Sequence, residues 1–424
     1  MLTAAAGCAA LLLAATAAAA AHTAPHGRAP DRAALAEHDG WGSADGGTTG
    51  GADADPAHVY DVSTWAGFRA ALADGGDTPK IVRVHGTIDS GAGTCDDFAA
   101  PGYRLDQYLA DYDPAVWGYS EPVSGEQEDL RAESAHAQAA AVETEIPANT
   151  TVVGAGHGAG FTGASLQIKD VDNVILRGLT LESPLDCFPQ WDPTDGDTGN
   201  WNSEYDSAVA TGSTHVWIDH DTFTDGAHPD STLPSYFGRR YQRHDGELDI
   251  VRGADLVTVS WNVFTEHDKT FMIGNSDGAG DTDRGRLRVT VHHNLFSHLV
   301  ERAPRVRFGR VDTYDNHYVA DADYGYSFGI GAESALYAEK NAFTLPAGTD
   351  PGTILMKWSE APVTTRHNLV NGAPVDLVAA HNAAFPDAPL TGGAGWRPAL
   401  RTGVDAPARV PHVVDGGAGA DRLR

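Results

Sequence analysis

Seven segments of this chain share one shape. Asn173 to Leu181, His215 to Phe223, Leu256 to Phe264, Leu287 to Phe296, Val311 to Tyr318, Ala335 to Phe343 and Val363 to Val370 are β-prone alternating runs. Most close on a small amide or acid, one further residue, and an apolar residue. Aligned on that position, Asp221, Asn262, Asn294, Asn316, Asn341 and Asn368 stand 41, 32, 22, 25 and 27 residues apart. Intervals in the twenties with strand patterning predict a solenoid of stacked coils, and the longer intervals predict loops inserted into a coil. An Asn once per coil has a physical reason: it tolerates tight bends, and its amide bonds backbone and stacked neighbours. Coils stacked about 4.8 Å apart would line side chains from successive turns into one continuous face. A sandwich or propeller is the rival, but no blade-length repeat or Trp-Asp signature recurs. The fold expected is all-β: a right-handed, single-stranded parallel β-helix with long inserted loops.

Outside the repeat the chain reads differently. Leu2 to Ala21 is nearly all apolar and alanine-rich, which predicts a secretory signal peptide over residues 1–21 and a secreted, extracellular protein. The Lys or Arg expected near its start is missing. No h-region precedes Cys8, so a lipid anchor is not expected, and no later stretch is long enough to span a membrane. Residues 22–56, rich in Ala, Gly, His, Asp and Thr, read as a flexible linker. The domain then runs over 57–424. It opens with a helix capped by Ser63 and running to Leu72, then the strand Ile81 to Val84. Residues 89–145 read as irregular apart from a helix over Glu126 to Val142. The tail after Asn371 reads as loosely packed. Cys95 and Cys187 could pair or stay apart as buried thiols, and we read them as unpaired.

The balance of 29 Lys+Arg against 58 Asp+Glu, a formal charge of −29, argues against a nucleic-acid partner. It leaves an anionic substrate open, because cations or a bound metal reverse the field within one cleft. Glu204 and Asp206 flank Tyr205, and Asp245 and Asp249 are four apart. On extended backbone such pairs point the same way. If 203–209 and 245–251 lie on neighbouring coils, these carboxylates converge, and oxygen donors so placed suit Ca²⁺. The plain alternative is solvated acids in an acidic protein. A third reading is a paired-carboxylate glycosidase. Glu247 receives no assignment, and the stretch Asp192 to Asp197 reads as loop.

The bases gather later. Arg302, Arg305 and Arg307 follow a strand and surround Pro304, with Lys269 upstream. Guanidinium forks recognise carboxylates bidentately. Arg302 and Arg307 have opposite parity on a strand, so the chain must bend at Pro304 if both face one cleft. His292 and His293 are adjacent and, on a strand, would point to opposite faces, so no zinc motif is read there.

These blocks resemble the family 1 polysaccharide lyases, the pectate lyases of bacteria and plants. The matching stretches are Phe188-Pro-Gln-Trp-Asp-Pro-Thr-Asp-Gly, Trp201-Asn-Ser-Glu-Tyr-Asp206, Val216-Trp-Ile-Asp-His220, Tyr241 to Asp249 and Asp255 to Lys269. Val289-Thr-Val-His-His-Asn294 and Arg302-Ala-Pro-Arg-Val-Arg-Phe-Gly309 complete the set. The likeness extends from about Val59 to Ala380. It implies a parallel β-helix with stacked Asn residues and a calcium-dependent cleft. Residue by residue it implies Asp206, Asp245 and Asp249 as calcium ligands. Glu204 stands where the family has an acid or an amide, and joins the candidate metal set. Lys269 and Arg307 match residues that hold substrate carboxylates, and Arg302 matches the proposed base. His220 lies in a shared block as a structural hydrogen-bonding residue. The implied reaction is eliminative cleavage of polygalacturonate by a monomer, with no membrane or nucleic-acid partner.

Three other functions compete. A pectin lyase acting on methyl-esterified polymer would not need Asp206, Asp245 and Asp249. A polygalacturonase-type hydrolase would use paired acids in place of Arg302. A binding solenoid without catalysis would need no base.

Overall fold

The computed structural model describes residues 29–91 and 93–423, so the expected signal segment lies outside the described residues. Three long sheets, of eleven, ten and eight strands, carry the repeat, and each coil of chain contributes a strand to each in turn. One coil shows the pattern: Leu248–Val251 in the eight-stranded sheet, Asp255–Ser260 in the eleven-stranded sheet, then Val263–Lys269 in the ten-stranded sheet. Pairing between coils is parallel and in register, as in Val216↔Val257 and Val257↔Val289. This is the parallel β-helix that the repeat predicts.

The Asn positions form a buried ladder. Asp221 N–H donates to Asn262 Oδ1 at 2.8 Å, and the same bond recurs from Asn262 to Asn294, Asn294 to Asn316, Asn316 to Asn341 and Asn341 to Asn368. The bend itself belongs to the residue before each: His220, Trp261, His293, Asp315, Lys340 and His367 all take φ between 52° and 59°. The Asn is thus the clamp of the turn and its predecessor the hinge. The apolar residue two places on turns inward, and Phe223, Phe264, Phe296, Tyr318 and Phe343 stack with ring centroids 4.6 to 4.9 Å apart.

The segment expected as a flexible linker is built into the fold. From residue 29 it runs across the eleven-stranded sheet, where Trp41 and Gly42 N–H groups donate to Thr290 and Thr258 Oγ1 at 3.0 Å. Thr49 and Gly50 then donate to Asn173 Oδ1 at 2.7 Å. Its glycines serve close approach rather than disorder: a Cβ on Gly51 would collide with the Lys80 carbonyl.

The tail is also seated more firmly than its composition predicts. Val410 and Val414 of the helix Val410–Gly417 are fully buried against Ala342, Val263 and Leu295. Arg401 bonds Asp312 and Glu339.

The first helix spans Trp65–Ala73, with Thr64 rather than Ser63 accepting from Gly67 N–H. The helix Glu126–Val142 has the bounds expected of it. Within 89–145, otherwise expected to be irregular, three short helices precede it: Cys95–Phe98, Leu105–Asp111 and Pro114–Trp117. These pack with the inserted loops into a second core of Tyr108, Tyr112, Trp191, Trp201 and Tyr241. Cys95 and Cys187 form a disulfide, contrary to the unpaired reading. The inserted loops fold back on the helical segment and bring the two sulfurs together across 92 residues of sequence, a proximity that spacing alone does not encode. Asp192 to Asp197 is the turn region of the hairpin pairing Gln190–Asp192 with Asn200–Asn202.

Candidate active site

The site lies along the eight-stranded sheet, where Ala208 pairs with Leu248 and Val209 with Asp249. Neighbouring coils therefore do bring 203–209 beside 245–251. Tyr205 is buried, its hydroxyl donating to the Ala135 carbonyl at 2.7 Å, while its neighbour Glu204 is exposed and Asp206 partly so. Asp206 Oδ1 accepts from Gly246 N–H at 2.8 Å, and Asp249 Oδ1 accepts from Met272 N–H at 3.1 Å.

Asp206, Asp245 and Asp249 act on one another. Burial, then the charges of Asp249 and Asp245, push the Asp206 carboxyl well above its ordinary value. Burial, then Asp245, push Asp249 up to about 7, while Arg302 and Arg307 oppose the rise. Buried carboxyls pushed up in this way form an oxygen-donor set short of positive charge, which fits a hard divalent cation. Glycine at 246 is required between them, because a Cβ there would stand 2.7 Å from both Asp206 Oδ1 and Asp249 Oδ1.

Glu204 is placed differently from the other acids. Its half-exposed side chain lies 3.8 Å from Nη1 of Arg131, which is itself bound bidentately to Glu128. Glu247 is fully buried beside His267 and Asp225, and burial raises its pKa well above the usual range. It belongs to the interior.

The cations come from the next coils. Lys269, nearly buried, is in register with Glu301, and both line a cleft of about 290 Å³ with Arg302, Arg239, Arg240, Gln242 and Asp268. Arg302 takes φ +63°, two residues before Pro304. Its Nε donates to Glu301 Oε1 at 2.8 Å. Burial works to lower its pKa, but Glu301, Tyr326, Asp245 and Asp249 together hold it above the ordinary value. Arg307 donates from Nε to Asp277 at 2.6 Å and from Nη1 to the Gly274 carbonyl at 2.9 Å. Arg305 lies over the Trp358 ring at 4.1 Å, and burial lowers its pKa, with Arg307 adding to the effect. Glu301, Arg239 and Arg240 were not singled out in the sequence. The position of Glu301 next to Arg302 was the available signal for it, whereas the two arginines arrive on a loop hairpin.

A second group of ligand type lies at a ladder turn instead of the cleft. His293, Asp315 and Asp405 bring donor atoms within 4.8 Å of one another. His292 and His293 Nδ1 atoms are 2.8 Å apart, because His293 leaves the extended conformation at φ +56° and its ring turns to the same side as that of His292. His220 pairs with Asp219 at 2.8 Å, a structural role as expected.

Known proteins share this arrangement of fold and sequence. Residues 8–107 and 123–388 match the family model described as pectate lyase. A pectate lyase of Bacillus subtilis (strain 168) is 43% identical over 401 residues, covering 92% of this chain and 93% of that protein. Pectate lyase E of Dickeya chrysanthemi is 39% identical over 357 residues, covering 82% and 78%. Among solved structures, a thermostable pectate lyase superposes with a TM-score of 0.90 at 41% identity, covering 94% of this chain and 100% of that one. A pectate lyase bound to a hexasaccharide gives 0.88 at 41%, covering 93% and 99%. The chain belongs to the pectate lyase family.

Proposed function

We propose that this protein is an exported, monomeric, calcium-dependent pectate lyase that cleaves (1→4)-α-D-galacturonan, the polygalacturonate of plant cell walls, by β-elimination. One observation carries the reading: Asp206, Asp245 and Asp249 converge on neighbouring coils, with Arg302 close enough to oppose the pKa rise of Asp206 and Asp249. The three aspartates would hold the cation. Calcium bound there supplies positive charge that neutralises a galacturonate carboxylate and acidifies the hydrogen at C5.

The chain's own groups do the rest. Lys269 and Arg307 bind substrate carboxylates as point charge and fork respectively. Arg302 takes the C5 proton. The C5–H electron pair becomes the C4=C5 double bond, the bond from C4 to the glycosidic oxygen breaks, and that oxygen leaves with a proton from solvent. The products are a new reducing end and a 4,5-unsaturated sugar at the new non-reducing end.

A guanidinium is a poor base at neutral pH because its pKa lies above about 12. Neutralising Asp245 and Asp249 removes two of the four groups that hold Arg302 charged. Activity is therefore expected to peak at alkaline pH.

Ultraviolet absorbance of the protein mixed with polygalacturonate, with calcium or with chelator, tests the reading. A calcium-dependent rise establishes elimination. A rise that survives chelation would point to a pectin lyase, and saturated reducing ends without absorbance would mean hydrolysis.

A further inference from the structure

Of the three aspartates, Asp249 rides on the strand Leu248–Val251, but Asp245 sits on the loop that precedes it. Loops hold a ligand less accurately than strands do, so Asp245 needs a brace from outside its own backbone. That brace is present underneath. His267, fully embedded in the strand Val263–Lys269, places Nδ1 2.6 Å from Asp225 Oδ1 and Nε2 2.5 Å from the backbone oxygen of Asp245. A carboxylate and a carbonyl both accept, so the ring bridges them by donating from both nitrogens.

Asp225 is itself buried, with Oδ2 3.5 Å from His244 Nδ1. His244 reaches Asp230 Oδ1 at 2.9 Å, and the same oxygen accepts from Arg243 N–H at 3.2 Å. The loop is thus tied at four consecutive residues before Leu248. Arg243 and His244 are held by Asp230, Asp245 by His267, and Gly246 by Asp206. Among the described residues, the His267 bond is the one that grips the residue carrying the outlying carboxylate. His267 also lies two residues before Lys269 on one strand, so the loop that offers the carboxylate and the strand that offers the substrate cation move as one piece.

We propose that His267, held by Asp225, is a positioning residue for the candidate calcium ligand Asp245 and fixes its distance from the substrate-binding strand. This rests on the reading of Asp206, Asp245 and Asp249 as the calcium site. Without His267, the Asp245 carbonyl loses its donor and Asp225 loses its nearest cationic partner, so the loop relaxes and calcium binding weakens.

The test is calcium titration of the purified full chain by calorimetry, alongside the calcium half-saturation of lyase activity. His267→Ala should raise the calcium dissociation constant by about 10-fold or more, the range for groups that orient a metal ligand. Its kcat at saturating calcium should stay close to the parent value. His267→Gln, whose side-chain amide reaches near the place of the ring Nε2, should recover most of the affinity. A purely structural role would lower thermal stability in both variants and leave the dissociation constant alone, which would overturn the proposal. So would a loss of kcat at saturating calcium with unchanged affinity. Asp249→Asn separates the two levels: if it binds calcium as the parent does, the calcium-site reading itself fails. If it is weakened while His267→Ala is not, only the positioning role fails. Should His267→Ala not fold, Asp225→Asn carries the test, and parental calcium affinity in that variant overturns the proposal.

Discussion

Glu301 Oε1 lies 2.8 Å from Arg302 Nε, so the guanidinium assigned as base is held by its own chain neighbour. The same glutamate is in register with Lys269 on the adjacent coil, which associates one carboxylate with both cations of the proposed mechanism. Glu301 is the foremost of the groups that raise the Arg302 pKa against the effect of burial. An arginine acts as base only in its neutral form, so activity climbs with pH as that form grows. Glu301→Gln removes the charge but keeps an amide oxygen as acceptor. The expected outcome is that the rising limb of kcat/KM against pH moves to lower pH. A limb that stays in place, or moves up, would disconnect Glu301 from the ionisation that limits catalysis.

Arg302→Ala tests the base directly. Loss of a general base costs about 10² to 10⁴-fold, so the variant should lose at least that much in the absorbance assay. Far-UV circular dichroism should remain close to that of the parent, because the Arg302 side chain bonds a neighbour in sequence and leaves the ladder untouched. Calcium affinity should not fall, because a cation near Asp206 and Asp249 is removed. Retention of more than about a tenth of the activity would take the base role away from Arg302, since that loss is smaller than a general base accounts for.

Gly246→Ala probes the metal site by shape alone. Gly246 is absent from the positive-φ residues, so alanine is not penalised by the backbone there. Its Cβ would press on Asp206 Oδ1 and Asp249 Oδ1 together, each 2.7 Å away. The expected result is a clear weakening of calcium binding by calorimetry with a modest fall in thermal stability, about 1–3 kcal/mol for an overpacked position. Unchanged calcium affinity would mean that the two carboxylates do not share an ion.

How far the sequence could be read follows from which interactions are local. The coil is: its alternation, its Asn and the aromatic two places later recur in Asn262/Phe264, Asn294/Phe296, Asn316/Tyr318 and Asn341/Phe343, so these residues announce their roles by spacing. The aspartates are half legible: the pairing of Ala208 with Leu248 brings the two coils together, but Asp245 lies on the loop before the strand that carries Asp249, so strand parity does not place it. Glu204 shows the limit of parity. It stands two residues from Asp206 on irregular backbone, and its ion-pair partner Arg131 is 73 residues away in sequence. The glycines of residues 40–51 misled for a related reason. Composition reads glycine as freedom, whereas Gly40 and Gly50 each remove a side chain that would collide with a sheet formed by residues 100 or more positions later, at Thr258 and Thr151. His267 was hidden by its partner, since its bond goes to a backbone atom of Asp245, which no residue type records.

The ladder ends on an acid, and that end is open to a stabilising change. Each Asn of the ladder donates from Nδ2 to the carbonyl three residues before the ladder position of the previous coil: Asn262 to Ile218, Asn294 to Val259, Asn316 to Val291, Asn341 to Thr313. Asp221 keeps the acceptor half, taking Leu179 N–H on Oδ1 at 2.7 Å, but its buried Oδ2 has no hydrogen-bond partner. The matching carbonyl would be that of Leu176, which pairs with Ile218 across the coils. Burial drives the Asp221 pKa well above its ordinary 3.8. The folded state therefore keeps the proton while the unfolded chain releases it, and stability falls as pH rises from 3.8 towards the folded value. Asp221→Asn removes that dependence and supplies at every pH the donor that the ionised carboxyl lacks. In denaturant unfolding it should gain about 1–2 kcal/mol at pH 9, where a buried polar group without a partner costs about that much. The gain should shrink at pH 4, where the parent's carboxyl is protonated in both states. An equal gain at both pH values would mean that the added donor alone is responsible, and a loss at pH 9 would show that Asp221 is ionised in the folded protein and bound to a cation.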